Sequence, residues 1–281
     1  MAKGISVHIG LNGLDPAHYG GWSGALNACE ADAGDLQAIA TALGFDSTLL
    51  LKAAATRNAV ITAITSAAAR LTQGDIFWLT YSGHGGQVPD TSGDEQDLQD
   101  ETWCLFDGQM IDDELRVLWS KFGPGVRILV LSDSCHSGSV ARAPVSMTDS
   151  EALTRGPLAE MLGTVGAKYR FMPDDAAART YRTNRVFYDD IQRSLPDPPP
   201  PVVASVRLIA ACQDNQLSLD GTFNGLFTGQ LLRVWSSGKF AGDYAAFHKT
   251  ILQRMPASQS PNHLVFGAAN LAFDGEKPFS I

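Results

Sequence analysis

The stretch that decides the fold runs from Val126 to Gly138 and reads V-R-I-L-V-L-S-D-S-C-H-S-G. Val126, Ile128, Leu129, Val130 and Leu131 form a short apolar run, rich in β-branched residues, behind the breaker Pro124-Gly125. Such a run reads as a strand buried on both faces of a mostly parallel sheet. It stops in small and polar residues, Ser132 to Gly138. In open α/β sheets the chemistry sits just beyond the carboxyl ends of the strands, so Cys135 stands where a nucleophile belongs. Most free cysteines are buried structural thiols. One placed between Ser134 and His136 has polar neighbours instead, and from this stretch alone both roles stay open.

Working outward, the flanking segments repeat a strand–helix rhythm. Ile5 to Leu11 alternates like a strand, and a Gly-rich loop over Asn12 to Gly24 holds His18, Tyr19 and Trp22. Leu26, Ala33, Leu36, Ile39, Ala40 and Leu43 recur at helical spacing, with Gly44 as a stop. Asp32 falls near the start of this helix, where a carboxylate is dipole-stabilising or functional. Phe45 to Leu51 reads as a second strand. Thr56 can cap a helix carrying Val60, Ile61, Ile64, Ala68 and Leu71. Ile76 to Leu79 is a third strand, and it too ends in small residues, Tyr81-Ser82-Gly83-His84-Gly85-Gly86. The β-α-β-α-β order predicts a parallel sheet with helical crossovers, and it puts His84 at the same sheet edge as Cys135.

Asp90 to Glu114 carries ten Asp and Glu and no Lys or Arg. Thr102–Phe106 and Gln109–Ile111, joined by Asp107-Gly108, read as a hairpin, and Asp112 opens a short helix reaching Phe122. The acidic run suits either a solvated surface or a hard cation such as Ca²⁺, without the spacing of an EF-hand loop. From 142 to 201 periodicity is weak. This basic, Pro-rich segment holds Lys168, Arg170, Arg179, Arg182, Arg185 and Arg193, then Pro196 and Pro198 to Pro201. It reads as an irregular linker or insertion. Val202 to Ala210 is another buried strand, Gly225–Ser236 and Asp243–Met255 are helices, and His263–Phe266 is an edge strand. The expected organisation is therefore one compact domain: a catalytic region over 1–141, the linker, and a smaller region over 202–281.

A chain of 281 residues can bury a full core without disulfide staples. The formal net charge of −9 disfavours non-specific nucleic-acid binding. Cys29, Cys104, Cys135 and Cys212 form no C-x-x-C pair and suit reduced thiols in a cytoplasm. The N-terminus lacks the pattern of a signal peptide, and no apolar run is long enough to span a membrane.

His84 and Cys135 each follow a strand, 51 positions apart (135 − 84). A thiol becomes a strong nucleophile once an imidazole takes its proton, and the same imidazole can protonate a leaving amine. The amides of Gly85 and Cys135 are then candidates for an oxyanion hole. His8, His18, His248 and His263 read as structural or surface residues, and His136 is given no catalytic role.

Y-S-G-H-G-G-Q at Tyr81 to Gln87 and D-S-C-H-S-G at Asp133 to Gly138 resemble the two signature motifs of metacaspases. L-N-A-C-E-A-D at Leu26 to Asp32, the stretch Asp90 to Leu115, and C-Q-D-N-Q from Cys212 fit the same family. The resemblance implies the α/β caspase-haemoglobinase fold, a mostly parallel central sheet flanked by helices on both faces. It implies Cys135 as nucleophile, His84 as base, and cleavage of polypeptides after Arg or Lys. The family's pocket for a basic side chain maps onto Cys29, Asp32, Ser82 and Asp133, and its calcium carboxylates map onto Asp100, Asp112 and Asp113. Arg142 stands where some members carry a further Asp. Self-cleavage in the linker and a monomeric state are also implied. A silent binding or scaffold module on the same fold is the alternative, as is a different thiol hydrolase or acyltransferase.

Overall fold

The computed structural model describes residues 2–91, 93, 98–135, 168–212 and 218–281. His136, Gly138, Arg142 and Gln213 to Gln216, singled out above, lie outside them. In chain order the elements are β1 (Gly4–Gly10), α1 (Cys29–Ala42), β2 (Asp46–Leu51), α2 (Arg57–Arg70), β3 (Ile76–Ser82) and β4 (Gly85–Pro89). Next come β5 (Gln99–Leu105), β6 (Gly108–Ile111), α3 (Asp112–Trp119), β7 (Arg127–Asp133) and β8 (Lys168–Tyr169). Then follow α4 (Asp174–Thr183), α5 (Arg185–Ser194), β9 (Ser205–Ala210) and β10 (Leu219–Asp220). Last are α6 (Leu226–Trp235), α7 (Tyr244–Leu252), β11 (Asn262–Gly267) and α8 (Leu271–Gly275).

Six strands form the central sheet in the order β11-β9-β7-β3-β1-β2. The pairs β2–β1, β1–β3, β3–β7 and β7–β9 are parallel, and β11 closes one edge antiparallel to β9. The sheet is therefore mostly parallel, as expected. Alternate side chains of one strand enter different cores, as a period of two demands. Phe77, Leu79, Ile128 and Val130 join a cluster with Val60 and Ile64 of α2 and Leu115 and Trp119 of α3. Ile76, Trp78, Leu129 and Leu131 join another with Leu36 of α1, Phe227 and Leu231 of α6, and Phe247 of α7. Helices thus cover both faces. This is the caspase-haemoglobinase fold.

The capping reading holds, since the Thr56 hydroxyl accepts from the Ala59 amide at 3.2 Å. The hairpin is part of a three-stranded antiparallel sheet, β4-β5-β6. Its first strand, Gly85–Pro89, has too few apolar residues to read as a strand. Residues 168–201 differ from the irregular linker expected there, because they hold β8 and the helices α4 and α5. Both helices bury few side chains, with Ala176 and Thr180 on one and Tyr188 on the other. Their exposed faces carry the local pairs Arg179–Asp175 and Arg185–Asp189. Polar residues dominate, so the apolar period is too sparse to see. Among the described residues no helix is long and apolar enough to cross a membrane.

Candidate active site

Register places the site. Ser82 ends β3 beside Asp133 at the end of β7, and Gly10 of β1 is in register with Ser82. His84 and Cys135 follow directly. The two backbones are nearly in contact, so that a Cβ on Gly85 would lie 1.5 Å from the Cys135 carbonyl oxygen. Only glycine permits this approach.

His84 is held from two sides. Its carbonyl accepts from the Tyr81 hydroxyl (2.6 Å) and from the Cys104 amide (2.9 Å). Its ring packs against Trp22, with centroids 4.7 Å apart. Nε2 lies 3.1 Å from the Gly24 carbonyl oxygen. A carbonyl can only accept, so this contact fixes the tautomer with the proton on Nε2 and the lone pair on Nδ1. Nδ1 is buried and makes no hydrogen bond. Burial pushes the imidazole down to about 3, against a raising contribution from the Gly24 contact, so the ring is a neutral base. The Cys135 sulfur, also buried, accepts a hydrogen bond from the Ser218 amide.

The four pocket residues come together around one side chain, Arg170, which is fully buried. Its Nη2 lies 2.7 Å from Asp32 Oδ2 and 3.0 Å from Asp220 Oδ1. Its Nη1 lies 3.0 Å from Asp133 Oδ2 and donates to Ser82 Oγ at 2.8 Å. Ser82 in turn donates to Asp32 (2.8 Å). The Cys29 thiol is buried within electrostatic reach of Arg170 and Asp220, and burial raises its proton affinity. Each carboxylate has further donors, as a buried charge requires. Asp32 accepts from the Gly225 and Asn224 nitrogens, Asp133 from the Ser218 and Thr228 hydroxyls, and Asp220 from the Asn27 and Ala28 amides. Burial works against the Arg170 charge, but Asp133, Asp32 and Asp220 outweigh it and hold the guanidinium firmly protonated. Burial also pushes Asp32 up to about 6, with Arg170 opposing and Asp133 adding to the shift.

Arg170 also makes main-chain contacts. Its carbonyl oxygen accepts from the Gly85 amide (3.0 Å) and from the Cys135 amide (3.1 Å). Two N–H groups converging on one carbonyl oxygen are the arrangement that stabilises an oxyanion.

Neither Asp220 nor Arg170 was assigned to the pocket from the sequence. Asp220 comes from a two-residue strand after β9 with no motif of its own. The one available signal for Arg170 was a basic residue within a segment already noted as basic. Of the calcium candidates, two share one cavity and the third lines another. Asp100 and Asp113 line a cavity of about 310 Å³ together with Arg193 and Asp197. Asp112 lines a different one, of about 510 Å³, beside Glu101 and Trp119. Among the described residues no three His, Cys, Asp or Glu side chains gather as a metal site needs. Asp94, Glu95 and Asp97 of the acidic run lie outside the described residues. The remaining histidines among the described residues have structural partners: His8 meets Thr80, His18 meets Tyr188, His248 meets the Pro261 carbonyl and His263 meets Arg207.

Residues 14–268 match the model of the caspase domain, peptidase family C14. The chain belongs to the caspase-domain family. This caspase-domain chain is 54% identical to a Geobacter sulfurreducens protein of known crystal structure, over 99% of each chain, with a TM-score of 0.86. It also superposes on caspase-1 from Spodoptera frugiperda at a TM-score of 0.52 and 10% identity, over 95% of this chain and 86% of that one, a likeness of fold alone. Metacaspase-1 of Eremothecium gossypii is 31% identical over 176 residues, and metacaspase-1 of Schizosaccharomyces pombe is 32% identical over 177. Each match covers 56% of this chain, and the chain spans 38% and 40% of those proteins' lengths. The chain is thus a metacaspase-like member of the family.

Proposed function

We propose that the chain is a cysteine endopeptidase that cleaves polypeptides after Arg or Lys, with Cys135 as nucleophile and His84 as base. The observation that carries this reading is an arginine held at both ends. Its guanidinium meets Asp32, Asp133 and Asp220, and its carbonyl oxygen meets the amides of Gly85 and Cys135. A substrate residue needs both contacts at once, the side chain for recognition and the carbonyl for chemistry.

His84 Nδ1 takes the thiol proton, and the sulfur attacks the carbonyl carbon. Charge builds on the oxygen, where the two amides are worth roughly 3 kcal/mol each if they behave like other oxyanion donors. His84 then gives its proton to the leaving amine, and water hydrolyses the thioester. A guanidinium satisfies three carboxylates with its fork of donors, and the ammonium of Lys, with three donors, fits less completely. The pocket therefore favours Arg over Lys and excludes Asp by charge. Four buried, unpaired cysteines support work in a reducing compartment such as the cytoplasm, and we read the enzyme as a monomer.

The test is a panel of fluorogenic peptide amides ending in Arg, Lys, Asp or Ala. We expect the order Arg, then Lys, with Asp and Ala at background, and no turnover by Cys135→Ala. Asp peptides cut as fast as Arg peptides would overturn the pocket assignment. A fully active Cys135→Ala would overturn the nucleophile.

A further inference from the structure

We propose that the site also reads the two residues ahead of the substrate Arg. It takes an aromatic side chain immediately before the Arg, on Leu219 and Leu226, and a basic side chain one position earlier, on Ala25 and Asn27. The proposal rests on the peptidase reading and names the class of peptide that site selects. An acidic pocket alone would accept any accessible Arg. The groove leading into it has walls of its own.

Strand β8 shows how a peptide lies in that groove. It runs antiparallel to β10, with Tyr169 opposite Leu219 and Lys168 opposite Asp220. The next residue, Arg170, donates its amide to the Ser218 carbonyl at 3.0 Å. When a peptide adds a strand to an exposed edge, the main chain supplies affinity and pockets for alternate side chains supply specificity. Side chains alternate along a strand. Lys168 therefore shares a face with Arg170, and Tyr169 takes the other.

Each face has its own chemistry. Tyr169 packs on the buried pair Leu219 and Leu226, and half-buried Met255 packs on the same pair. Burial raises the proton affinity of the Tyr169 hydroxyl and Cys135 adds to the rise, so the phenol lies within electrostatic reach of the nucleophile. A small side chain at this position would leave the two leucines facing water. On the other face the Lys168 ammonium donates to the Ala25 carbonyl at 3.1 Å, with Asn27 Oδ1 at 3.4 Å. A backbone carbonyl can only accept, so a carboxylate here meets repulsion where a cation meets an acceptor. The same loop serves the Arg pocket, because the Asn27 and Ala28 amides hold Asp220. One loop between β1 and α1 thus sets the spacing of two basic side chains. The position next to the Arg lies between them and is apolar.

The test is a set of coumarin amides with Arg fixed at the cut bond, assayed on the full chain. Tyr, Phe, Ala or Asp stands before the Arg, and Lys, Arg, Ala or Glu one position earlier. Half-burying an aromatic ring should raise kcat/KM about tenfold over Ala. A hydrogen bond from an exposed charged donor should raise it about fivefold over Ala, with Glu slowest. Variants tie each preference to its residues. Asn27→Asp should raise the ratio of Lys to Ala peptides at the earlier position, and Asn27→Lys should reverse it. Leu226→Ala should erase most of the preference for Tyr over Ala, and Met255→Ala, a milder change, should move it the same way. A strand with a structural role only predicts flat preferences that these variants leave alone. Arg peptides cut at equal rates whatever precedes the Arg, or preferences untouched by the variants, would overturn the proposal and leave the peptidase reading standing. If no Arg peptide is cut, both fall.

Discussion

A methyl group at position 85 would sit 1.5 Å from the Cys135 carbonyl oxygen, far inside any non-bonded contact. Gly85→Ala must therefore push the two backbones apart, and the pair of amides that shares one oxygen goes with them. Loss of one such donor costs about 10²–10³ in kcat. We expect at least a hundredfold fall in kcat on an Arg peptide with an unchanged circular dichroism spectrum; a kcat within a few-fold of wild type would contradict the site. Asp220→Asn removes one of three carboxylates facing the guanidinium. A hydrogen bond to a charged group contributes about 1.5–3 kcal/mol, so kcat/KM for Arg peptides should fall roughly ten- to a hundredfold, while the background rate on Ala peptides stays unchanged. His84, Cys135 and Asp133 were legible because each closes or follows a strand, and strand ends can be read from apolar runs; Asp32, in the first turn of α1, reached the pocket only through the resemblance. Asp220 was not, because its place depends on a crossing far from any motif. Arg170 read only as one basic residue among several, since nothing local marks which one enters a pocket built by α1, β3, β7 and β10.

Arg57 shows how a single pair can tie elements together. Its guanidinium, at the start of α2, meets Glu114 of α3 through two contacts, Nη2–Oε1 at 2.6 Å and Nη1–Oε2 at 3.0 Å. The same Glu114 oxygen caps the Ile111 amide, and the guanidinium lies over the Phe187 ring of α5. Both side chains are only 10% exposed. Removing one partner of such a pair leaves the other charge buried, which costs roughly 3 kcal/mol. We expect Arg57→Ala to lose about that much in urea unfolding, measured in the Cys135→Ala form so that self-cleavage does not interfere; a loss below about 0.5 kcal/mol would mean the pair is not closed in solution. The helices α1, α2 and α3 were legible from period and caps. The helices α4 and α5 were not, because local ion pairs rather than an apolar stripe cover most of their surface, and the core asks little more of α5 than Tyr188.

Acid stability reports on the whole molecule. Burial lowers His8 and His84 to about 3 and His263 to about 4, so the folded chain keeps all three neutral where the unfolded chain would protonate them. Their stabilising contribution is complete above the ordinary value of about 6.5 and is lost as pH falls toward 3 or 4. Asp32 has the opposite sign. With its value raised to about 6, its contribution is largest at low pH and shrinks as pH rises through 6. Burial lowers His18 as well, and four histidines against one carboxylate predict a Tm that falls steadily from pH 7 to pH 4.5 in the Cys135→Ala form. His8→Gln should flatten that slope, because His8 lies in β1, away from the reacting groups, and touches Thr80 and Trp78. A Tm independent of pH over this range would contradict the burial of these rings. At this scale the parallel core of the sheet and its helical covering were legible from period alone. The two-stranded β8–β10 pair was not, because it joins two segments that carry no apolar signal and meet only across the active site.

The most direct measurement is covalent trapping with a Lys-Tyr-Arg chloromethyl ketone, followed by peptide mapping. The expected result is one adduct, on Cys135, with Cys29, Cys104 and Cys212 unmodified, and with the matching Asp reagent at least a thousandfold slower. An adduct on another cysteine, or equal rates for the Arg and Asp reagents, would contradict a thiol and an acidic pocket acting on one arginine.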